Sequence, residues 1–215
     1  MNRRAVLFDF DGTLADSAPD LAAALNRMRT QRGLQPLEVE ATRSYVSMGA
    51  RGMLRVGFGM APDSEGYAAM REEFLALYSE AICVHTRLMN GMREVLVELE
   101  RRAIPWGIVT NKAMRLTERI VPALGLAPAC VVGGDSTPHL KPHPAPLLLA
   151  AERLGLPPGE CTYVGDDLRD MQAARAAGMR CIAVDYGYHG GEHPGPAEWN
   201  ADATISHPSE LLEHL

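Results

Sequence analysis

The sequence lacks the features of a membrane-spanning, secreted or nucleic-acid-binding protein. No apolar run approaches the roughly 18–20 residues that a membrane-spanning helix needs. The apolar stretch near the start is short and stops at Asp9, so no signal peptide is expected. Acidic residues outnumber basic ones, 27 to 21, and the net charge is −6. Because a nucleic-acid partner requires a basic surface, we expect no nucleic-acid partner. Because no apolar run is long enough to span a bilayer, we expect no membrane partner either.

Cysteine pairs and several well-known catalytic motifs are also missing. The four cysteines show no C-x-x-C spacing, and several lie in apolar, strand-like segments. They are expected to be buried, reduced thiols of a cytoplasmic protein. The motifs H-E-x-x-H and G-x-S-x-G and a Walker-type phosphate loop are absent. Zinc hydrolase, serine hydrolase and P-loop functions therefore have no support in the sequence.

Short apolar runs alternate with helical segments along most of the chain. This alternation predicts βαβ units and a parallel sheet, which is an α/β, doubly wound (Rossmann-like) fold. Three of the helical segments end at a glycine, which is typical of helix termini. The predicted strands are 5–8, 106–109, 130–132, 162–164, 181–184 and 203–205, and the predicted helices lie near 91–102, 113–124, 144–154 and 169–177, with a closing helix after 205.

Residues 16–86 contain no convincing strand and predict a small all-helical domain inserted after the first strand. Ser17 can cap a first helix, with Asp20 three residues further on. A later segment places Phe74, Leu77 and Tyr78 on one helical face. We therefore divide the chain into a catalytic core of residues 1–15 and 87–215 and a helical cap of residues 16–86.

Acidic, hydroxyl and lysine side chains follow four of the predicted strands. Because the carboxyl ends of parallel strands meet at one edge of a sheet, these side chains should converge there. The polar residues that follow the four strands are, in chain order, Asp9 and Asp11; Thr110, Asn111 and Lys112; Lys141; and Asp166, Asp167 and Asp170.

The chemistry of this set favours a cation and a phosphate. Asp9 and Asp11 leave a strand at positions i and i+2 and can share one Mg²⁺, which takes oxygen ligands. A carboxylate beside the cation can attack phosphorus, and a second acid can donate and then accept the proton. Gly12 fits a tight turn that presents backbone N–H groups to phosphate. Taken alone, Thr110 is more typical of a helix N-cap than of a phosphate-binding residue. Lys112 can either touch phosphate or cap the helix. The inference therefore depends on the joint pattern.

With these motifs the chain resembles the haloacid dehalogenase superfamily of phosphatases. The stretches that carry the resemblance are Asp9-Phe10-Asp11-Gly12-Thr13-Leu14, Thr110-Asn111-Lys112, Lys141-Pro142 and Gly165-Asp166-Asp167-x-x-Asp170. The resemblance implies that Asp9 is the nucleophile and Asp11 the general acid and base, and that Thr110, Asn111 and Lys141 bind the phosphoryl group. It also implies that Mg²⁺ is the cofactor, held by Asp9, the Asp11 main-chain carbonyl and Asp166, and supported by Asp167 or Asp170, of which we favour Asp170.

Within the superfamily the chain resembles the phosphoglycolate phosphatase-like branch. Several stretches, among them Gly49-Ala50-Arg51 and Tyr186-Gly187-Tyr188, more narrowly resemble the N-acetylmuramic acid 6-phosphate phosphatases. The implied substrate is a small phosphomonoester, and the implied state is a monomer or a homodimer. Arg51 in the cap could reach a substrate carboxylate or hydroxyl group. A phosphosugar mutase of the same superfamily stays open, whereas Asp11 speaks against a dehalogenase and the early position of Asp9 against a phospho-acceptor signalling domain.

Overall fold

The computed structural model describes residues 5–189 and 194–215. The described part holds short strands and α-helices that alternate over most of the chain, with the first four helices in direct succession. The strands are β1 Ala5–Phe8, β2 Ala15–Asp16, β3 Arg87–Leu88, β4 Trp106–Val109, β5 Cys130–Val132, β6 Cys161–Gly165, β7 Arg180–Val184 and β8 Ala203–Ile205. The helices are α1 Ala18–Gln31, α2 Glu40–Val46, α3 Gly49–Phe58, α4 Tyr67–Glu80, α5 Met92–Arg101, α6 Met114–Ala123, α7 Ala145–Arg153 and α8 Leu168–Ala176.

The main sheet has six parallel strands in the order β5-β4-β1-β6-β7-β8. The first strand therefore lies in the interior, with Val6 paired to Trp106 on one side and to Thr162 on the other. All four residues of β1 are buried, as expected for a strand covered on both faces. The six strands coincide with the six apolar runs of the sequence to within one residue, so the predicted α/β fold is confirmed.

Two hydrophobic clusters cover opposite faces of the sheet. Alternate residues of β1 belong to different clusters, with Val6 and Phe8 in one and Ala5 and Leu7 in the other. The cluster around Phe8 contains side chains of α5 and α6, whereas the cluster around Leu7 contains side chains of α7 and α8. Because side chains alternate across a strand, this division places helices on both faces of the sheet.

Four helices, α1 to α4, connect the first strand of the sheet to the rest of the core. Strands β2 and β3 flank them and pair antiparallel, with Ala15 opposite Leu88, so both ends of this helical segment lie side by side. Asp20 in α1 accepts hydrogen bonds from the main-chain N–H groups of His85 and Thr86 at 2.8 Å each. The carboxylate of Asp20 therefore ties the start of the segment to its end.

Three local predictions from the sequence differ from the structure. The Ser17 side chain does not cap α1, because its hydroxyl donates to the carboxylate of Asp11 instead. Asp20 likewise serves His85 and Thr86 rather than a capping box. The closing helix after β8 is a 3₁₀ segment at Pro208–Glu213 rather than an α-helix.

The four cysteines are free. Cys130, Cys161 and Cys181 are buried, as expected from the sequence, whereas Cys83 is only partly buried. Among the described residues, no helix combines the length and the apolar character that crossing a membrane requires.

Candidate active site

Three carboxylates come together at the carboxyl ends of β1 and β6. Asp9, Asp166 and Asp170 each place an oxygen within 4.8 Å of the other two. Asp9 directly follows β1, and its main-chain N–H donates to the carbonyl of Val164 in β6 at 2.9 Å. Asp166 follows β6, and Asp170 lies in the first turn of α8. The sheet topology thus brings together acids that are 157 residues apart in the sequence, from Asp9 to Asp166.

Asp166 is fully buried and is fixed from two sides. One carboxylate oxygen accepts from the Thr13 hydroxyl at 3.1 Å, and the other accepts from the Tyr188 main-chain N–H at 2.8 Å. Two glycines make room for this carboxylate. A Cβ on Gly12 would lie 2.2 Å from an Asp166 oxygen, and a Cβ on Gly187 would lie 2.2 Å from the Asp166 Cβ. Glycine is therefore required at both positions for Asp166 to keep its place.

The Gly12 N–H is used within its own turn. It donates to the carbonyl of Ala15 at 2.9 Å, so in this structure it is not directed at a phosphate. The expectation that Gly12 offers its N–H to the phosphate therefore has to be corrected. Its positive φ of 89° and the space that it leaves for Asp166 explain the glycine instead.

Lys141 is the cation among these acids. Its ammonium lies 2.8 Å from Asp9 Oδ1 and 2.7 Å from Asp170 Oδ1. It also lies 2.7 Å from the Tyr163 hydroxyl. Asn111 positions the lysine, because its side chain accepts from the Lys141 N–H at 2.9 Å and donates to the Lys141 carbonyl at 3.0 Å. The role of Asn111 in this structure is thus to hold Lys141.

The electrostatics of the cluster indicate that a further positive charge belongs there. Burial, together with the charge of Asp9, raises the pKa of Asp166 well above its usual range. Burial also raises the pKa of Asp170 to about 7, although Lys141 acts in the opposite direction. The cluster holds three carboxylates, and the Lys141 ammonium pairs with two of them, Asp9 and Asp170, so a divalent cation would relieve the remaining repulsion. An all-oxygen donor set of this kind fits Mg²⁺.

Asp167 and Asp170 have different tasks. Asp167 caps α8 and forms an ion pair with Arg169, with 2.8 Å between Asp167 Oδ1 and Arg169 Nε. The hydrogen bonds from Arg169 outweigh burial and lower the pKa of Asp167. Asp170 points into the cluster with Asp9 and Asp166, as favoured from the sequence. Its role as a support of the metal stays a prediction.

Asp11 does not belong to the cluster and forms an ion pair with Lys112. The Lys112 ammonium lies 2.9 Å from both carboxylate oxygens of Asp11, and the Ser17 hydroxyl donates to the same carboxylate. Burial disfavours the charge on Lys112, but the attraction of Asp11 prevails and the pKa of the lysine is raised. The ammonium also lies over the ring of Tyr78 in α4, 5.0 Å from its centroid. Lys112 therefore does not cap a helix.

Thr110 lies at the end of β4 and is buried. Its hydroxyl oxygen accepts from the Lys112 main-chain N–H at 3.2 Å, and α6 begins only after Ala113. The alternative that Thr110 is a helix N-cap is therefore wrong. Its place in the cavity lining, beside Asp9 and Lys141, suits contact with a phosphoryl oxygen.

A cavity of about 660 Å³ opens above these residues, between the sheet edge and helices α2 to α4. Its floor contains Asp9, Asp11 and Thr110, and its walls include Phe74 and Tyr78 from α4. Arg51 of α3 is exposed and also lines the cavity. The arrangement offers a polar floor for a phosphate and a partly apolar wall for the rest of a substrate.

Comparison with known proteins places the chain in a family. The family model described as haloacid dehalogenase-like hydrolase matches residues 6–184. The chain belongs to this family. The resemblance predicted from the sequence motifs is thereby confirmed.

Two relatives of this hydrolase carry different names. It is 44% identical to the N-acetylmuramic acid 6-phosphate phosphatase of Pseudomonas putida over 98% of this chain and 95% of the relative. It is 45% identical to the phosphoglycolate phosphatase of Xanthomonas campestris pv. campestris, with the same shares covered. A crystal structure described as a predicted phosphoglycolate phosphatase from Haemophilus somnus 129PT has a TM-score of 0.84 and 26% identity, and covers 98% of this chain and 97% of that one.

Sequence reasoning missed three residues of this hydrolase's site. Tyr163 contacts Lys141, Ser17 contacts Asp11, and Tyr188 contacts Asp166. Tyr188 follows β7, so its position after a strand was a usable signal. Tyr163 lies inside an apolar strand and Ser17 directly before a helix, where a core and a capping role are the ordinary expectations.

Proposed function

We propose that this hydrolase is a Mg²⁺-dependent phosphatase that forms an aspartyl-phosphate on Asp9. Phosphoric monoester hydrolysis is the activity that the family and the names of the relatives support. The observation that carries the finer proposal is the position of Asp9, whose carboxylate lies at the cavity floor beside Lys141 and within 4.8 Å of Asp166 and Asp170. This position suits a nucleophile, because Lys141 and a Mg²⁺ ion bound by the acids would both lie close to the phosphoryl group.

The two proposed steps use Asp9 and Asp11 in turn. A carboxylate oxygen of Asp9 forms a bond to phosphorus, the bond from phosphorus to the leaving oxygen breaks, and Asp11 gives that oxygen its proton. Asp11 then takes a proton from water, the water oxygen bonds to phosphorus, and the bond between Asp9 and phosphorus breaks. Lys141 and Thr110 hold the phosphoryl oxygens. Mg²⁺, held by Asp9, the Asp11 carbonyl and Asp166, would neutralise phosphoryl charge.

The ion pair of Asp11 with Lys112 fits this scheme. A general acid must release its proton to the substrate and recover it from water, so its carboxylate needs a fixed place near the scissile bond. Lys112 and Ser17 both donate to the Asp11 carboxylate and hold it in place. We propose that both residues position Asp11 without touching the phosphate.

We further propose that residues 16–86 form a cap over a core of residues 1–15 and 87–215. The paired strands β2 and β3 form a narrow connection at which the helical segment could turn. A contact from the core reaches the segment, because Arg169 donates to the Ser47 carbonyl at 2.7 Å. Closing the cavity would exclude water other than the attacking molecule.

N-acetylmuramic acid 6-phosphate is the substrate that we propose first, and 2-phosphoglycolate is the alternative. The identities to the two kinds of relative, 44% and 45%, do not separate them. The cavity of about 660 Å³ is roomy for a two-carbon acid and suits a phosphorylated sugar. The cavity size therefore favours the larger substrate.

A metabolite screen and a trapping experiment test the proposal. Phosphate release is measured for a panel that includes both candidates, and kcat/KM ranks them. Enzyme quenched in acid during turnover should carry phosphate on Asp9, and Asp9→Asn should carry none. We expect Asp9→Asn to lose at least about 10⁴-fold in kcat, as covalent catalysts do when the nucleophile is removed. A variant that kept a tenth of the activity would remove Asp9 from this role.

A further inference from the structure

Six basic residues line the cavity, and they fall into two groups of three. Lys112, Lys141 and Arg169 each form an ion pair with an acid of the site. In the described part of the chain, no carboxylate pairs with any member of the second group, which consists of Arg51, Arg71 and Arg115.

The acids that line the cavity are all accounted for by other contacts. Asp9 and Asp170 face Lys141, Asp11 faces Lys112, and Asp167 faces Arg169. The remaining acid of the lining is Asp135. It accepts from the main-chain N–H of Met114 at the start of α6, at 2.7 Å. Among the described residues, the three remaining guanidinium groups therefore have no carboxylate partner at the mouth of the cavity. Glu72 and Glu80 line the neighbouring depression with Arg71 and Arg115, but Glu80 pairs with Arg27 instead.

Arg71 and Arg115 approach the cavity from opposite sides. Arg71 lies on α4 of the helical segment, and Arg115 lies on α6 of the sheet core. Both are exposed, and both also line a second depression that extends along α4 to Glu80. The pair thus marks the place where the cavity meets the outer surface. The phosphate-binding residues Thr110 and Lys141 line the cavity but not the second depression.

We propose that Arg71 and Arg115 form a binding subsite for a second anionic group on the substrate, separate from the phosphate that is hydrolysed. This inference rests on the proposed phosphatase function and specifies its substrate class: a phosphomonoester of sugar size that also carries a carboxylate or a second phosphate. A guanidinium presents a planar fork that matches either group with two hydrogen bonds. With one arginine on each side, the anion also links the helical segment to the core.

The apolar surface between the two charged regions suits such a substrate. Leu75 of α4 and Leu116 of α6 line the same cavity beside the two arginines. A sugar ring or an acyl group could lie on these side chains while the anions at its two ends meet Lys141 and the arginine pair. A small neutral ester would use only the phosphate end.

Matched substrates separate recognition of the second anion from catalysis. N-acetylmuramic acid 6-phosphate differs from N-acetylglucosamine 6-phosphate by a lactyl ether group, which carries the carboxylate. Glucose 1,6-bisphosphate differs from glucose 6-phosphate by a second phosphate. Arg71→Gln and Arg115→Gln are compared with Arg101→Gln, an exposed arginine paired with Glu98 outside the cavity. Both cavity variants should lose about 10- to 100-fold in kcat/KM on the substrate with two anionic groups that the wild type prefers. A loss of this size is expected for a hydrogen bond to a charged group. The losses on the counterpart that carries only the phosphate, and the losses in Arg101→Gln on either substrate, should be below about threefold.

The outcomes separate this inference from the proposed function. A selective loss on the acidic sugar supports a carboxylate subsite, and a selective loss on the bisphosphate supports a phosphate subsite. Equal losses on both members of a pair, or no loss on either, would overturn the subsite while leaving phosphatase activity intact. Wild-type enzyme that hydrolyses none of these esters, nor 2-phosphoglycolate, nor p-nitrophenyl phosphate would instead overturn the proposed function.

Discussion

The ammonium of Lys112 lies 2.9 Å from each carboxylate oxygen of Asp11, and the side chains of both residues are largely buried. The two residues come from different strand ends, β4 and β1, and neither belongs to the cluster of Asp9, Asp166 and Asp170. The site therefore contains two separate lysine–aspartate ion pairs. Lys141 pairs with Asp9, the proposed nucleophile, and Lys112 pairs with Asp11, the proposed general acid.

Replacing Lys112 by methionine should impair turnover more than binding. The methionine keeps much of the volume but leaves the buried Asp11 carboxylate without its cation, so we expect kcat to fall about 10- to 100-fold. KM for p-nitrophenyl phosphate should change less than about threefold, because Lys112 contacts no phosphate in the proposed scheme. Ser17→Ala removes only a neutral donor to Asp11 and should cost about 3- to 10-fold. Steady-state kinetics on both variants measure the split, and a change confined to KM would assign Lys112 to phosphate binding.

The elements and the proposed site residues could be predicted because each depends on a short stretch of sequence. The apolar run 5–8 is a buried strand whatever it pairs with, and parallel strands bring their carboxyl ends together. Asp9, Thr110 and Asp166 therefore reach one edge by topology alone. The contact of Asp11 with Lys112 was not predictable in this way, because it joins residues 101 positions apart through side-chain directions.

Competition between local and tertiary partners explains the errors. Ser17 directly before a proline-containing helix is typical of an N-cap, but Asp11 offers its hydroxyl a charged acceptor. Asp20 in the first turn suits a capping box. In the folded chain its carboxylate instead accepts from the main-chain N–H groups of His85 and Thr86. In both cases the tertiary hydrogen bond replaced the local one, and the sequence alone does not show which partner is present.

Mg²⁺ should stabilise this hydrolase as well as activate it. The cation would bind the folded acid cluster and not the unfolded chain, so at 100 times its dissociation constant it adds about 2.7 kcal/mol to the free energy of unfolding. For a chain of this size that raises Tm by about 5–10 °C. Thermal melts of EDTA-treated protein, with and without Mg²⁺, measure the shift, and phosphate release is recorded in the same buffers.

A variant of the acid cluster and a second cation serve as controls for the Mg²⁺ effect. Asp166→Asn should abolish the increase in Tm, because one carboxylate of the cluster is lost. Ca²⁺ should stabilise the fold but inhibit turnover, because its longer bonds and higher coordination number would move Asp9 out of line. Full activity in EDTA without added metal would contradict the proposed metal site.

Gly187→Ala should damage the acid cluster from behind. The new Cβ would lie 2.2 Å from the Asp166 Cβ and 2.8 Å from one of its oxygens, so Asp166 or the Tyr188 segment must move. Overpacking of this kind costs about 1–3 kcal/mol in the free energy of unfolding. A loss of about 1.4 kcal/mol in Mg²⁺ binding energy weakens the affinity about tenfold. We therefore expect the Mg²⁺ concentration for half-maximal activity to rise about tenfold or more.

Gly159→Ala is the matched control for that change, because within residues 5–189 and 194–215 the nearest atom to its Cβ would be the Gly178 carbonyl oxygen, at 4.0 Å. Its metal dependence should equal that of the wild type. If both alanine variants required the same Mg²⁺ concentration as the wild type, the packing of Gly187 against Asp166 would have no role in metal binding.

The ion pair of Asp16 and Arg43 should make stability depend on pH at the start of the helical segment. Arg43 lies 2.7 Å and 3.1 Å from the two Asp16 oxygens, and the Tyr188 hydroxyl donates to one of them at 2.6 Å. Burial alone would raise the pKa of Asp16, but these hydrogen bonds outweigh it and lower the pKa below the ordinary value of 3.8. Because the folded pKa is the lower one, the carboxylate stabilises the fold fully at pH values well above about 4.

Asp16→Asn should therefore lower the free energy of unfolding by about 1–3 kcal/mol at pH 7, the usual loss for hydrogen bonds to a charged group. The difference from the wild type should persist at pH 5 and shrink as the pH falls below about 4, where protons compete for the Asp16 carboxylate. Urea titrations at pH 7, 5 and 3.5 measure it, with exposed Asp63→Asn as the control that should change stability by less than about 0.5 kcal/mol. A difference that stayed constant down to pH 3.5 would mean that Asp16 stabilises the segment by packing rather than by its charge.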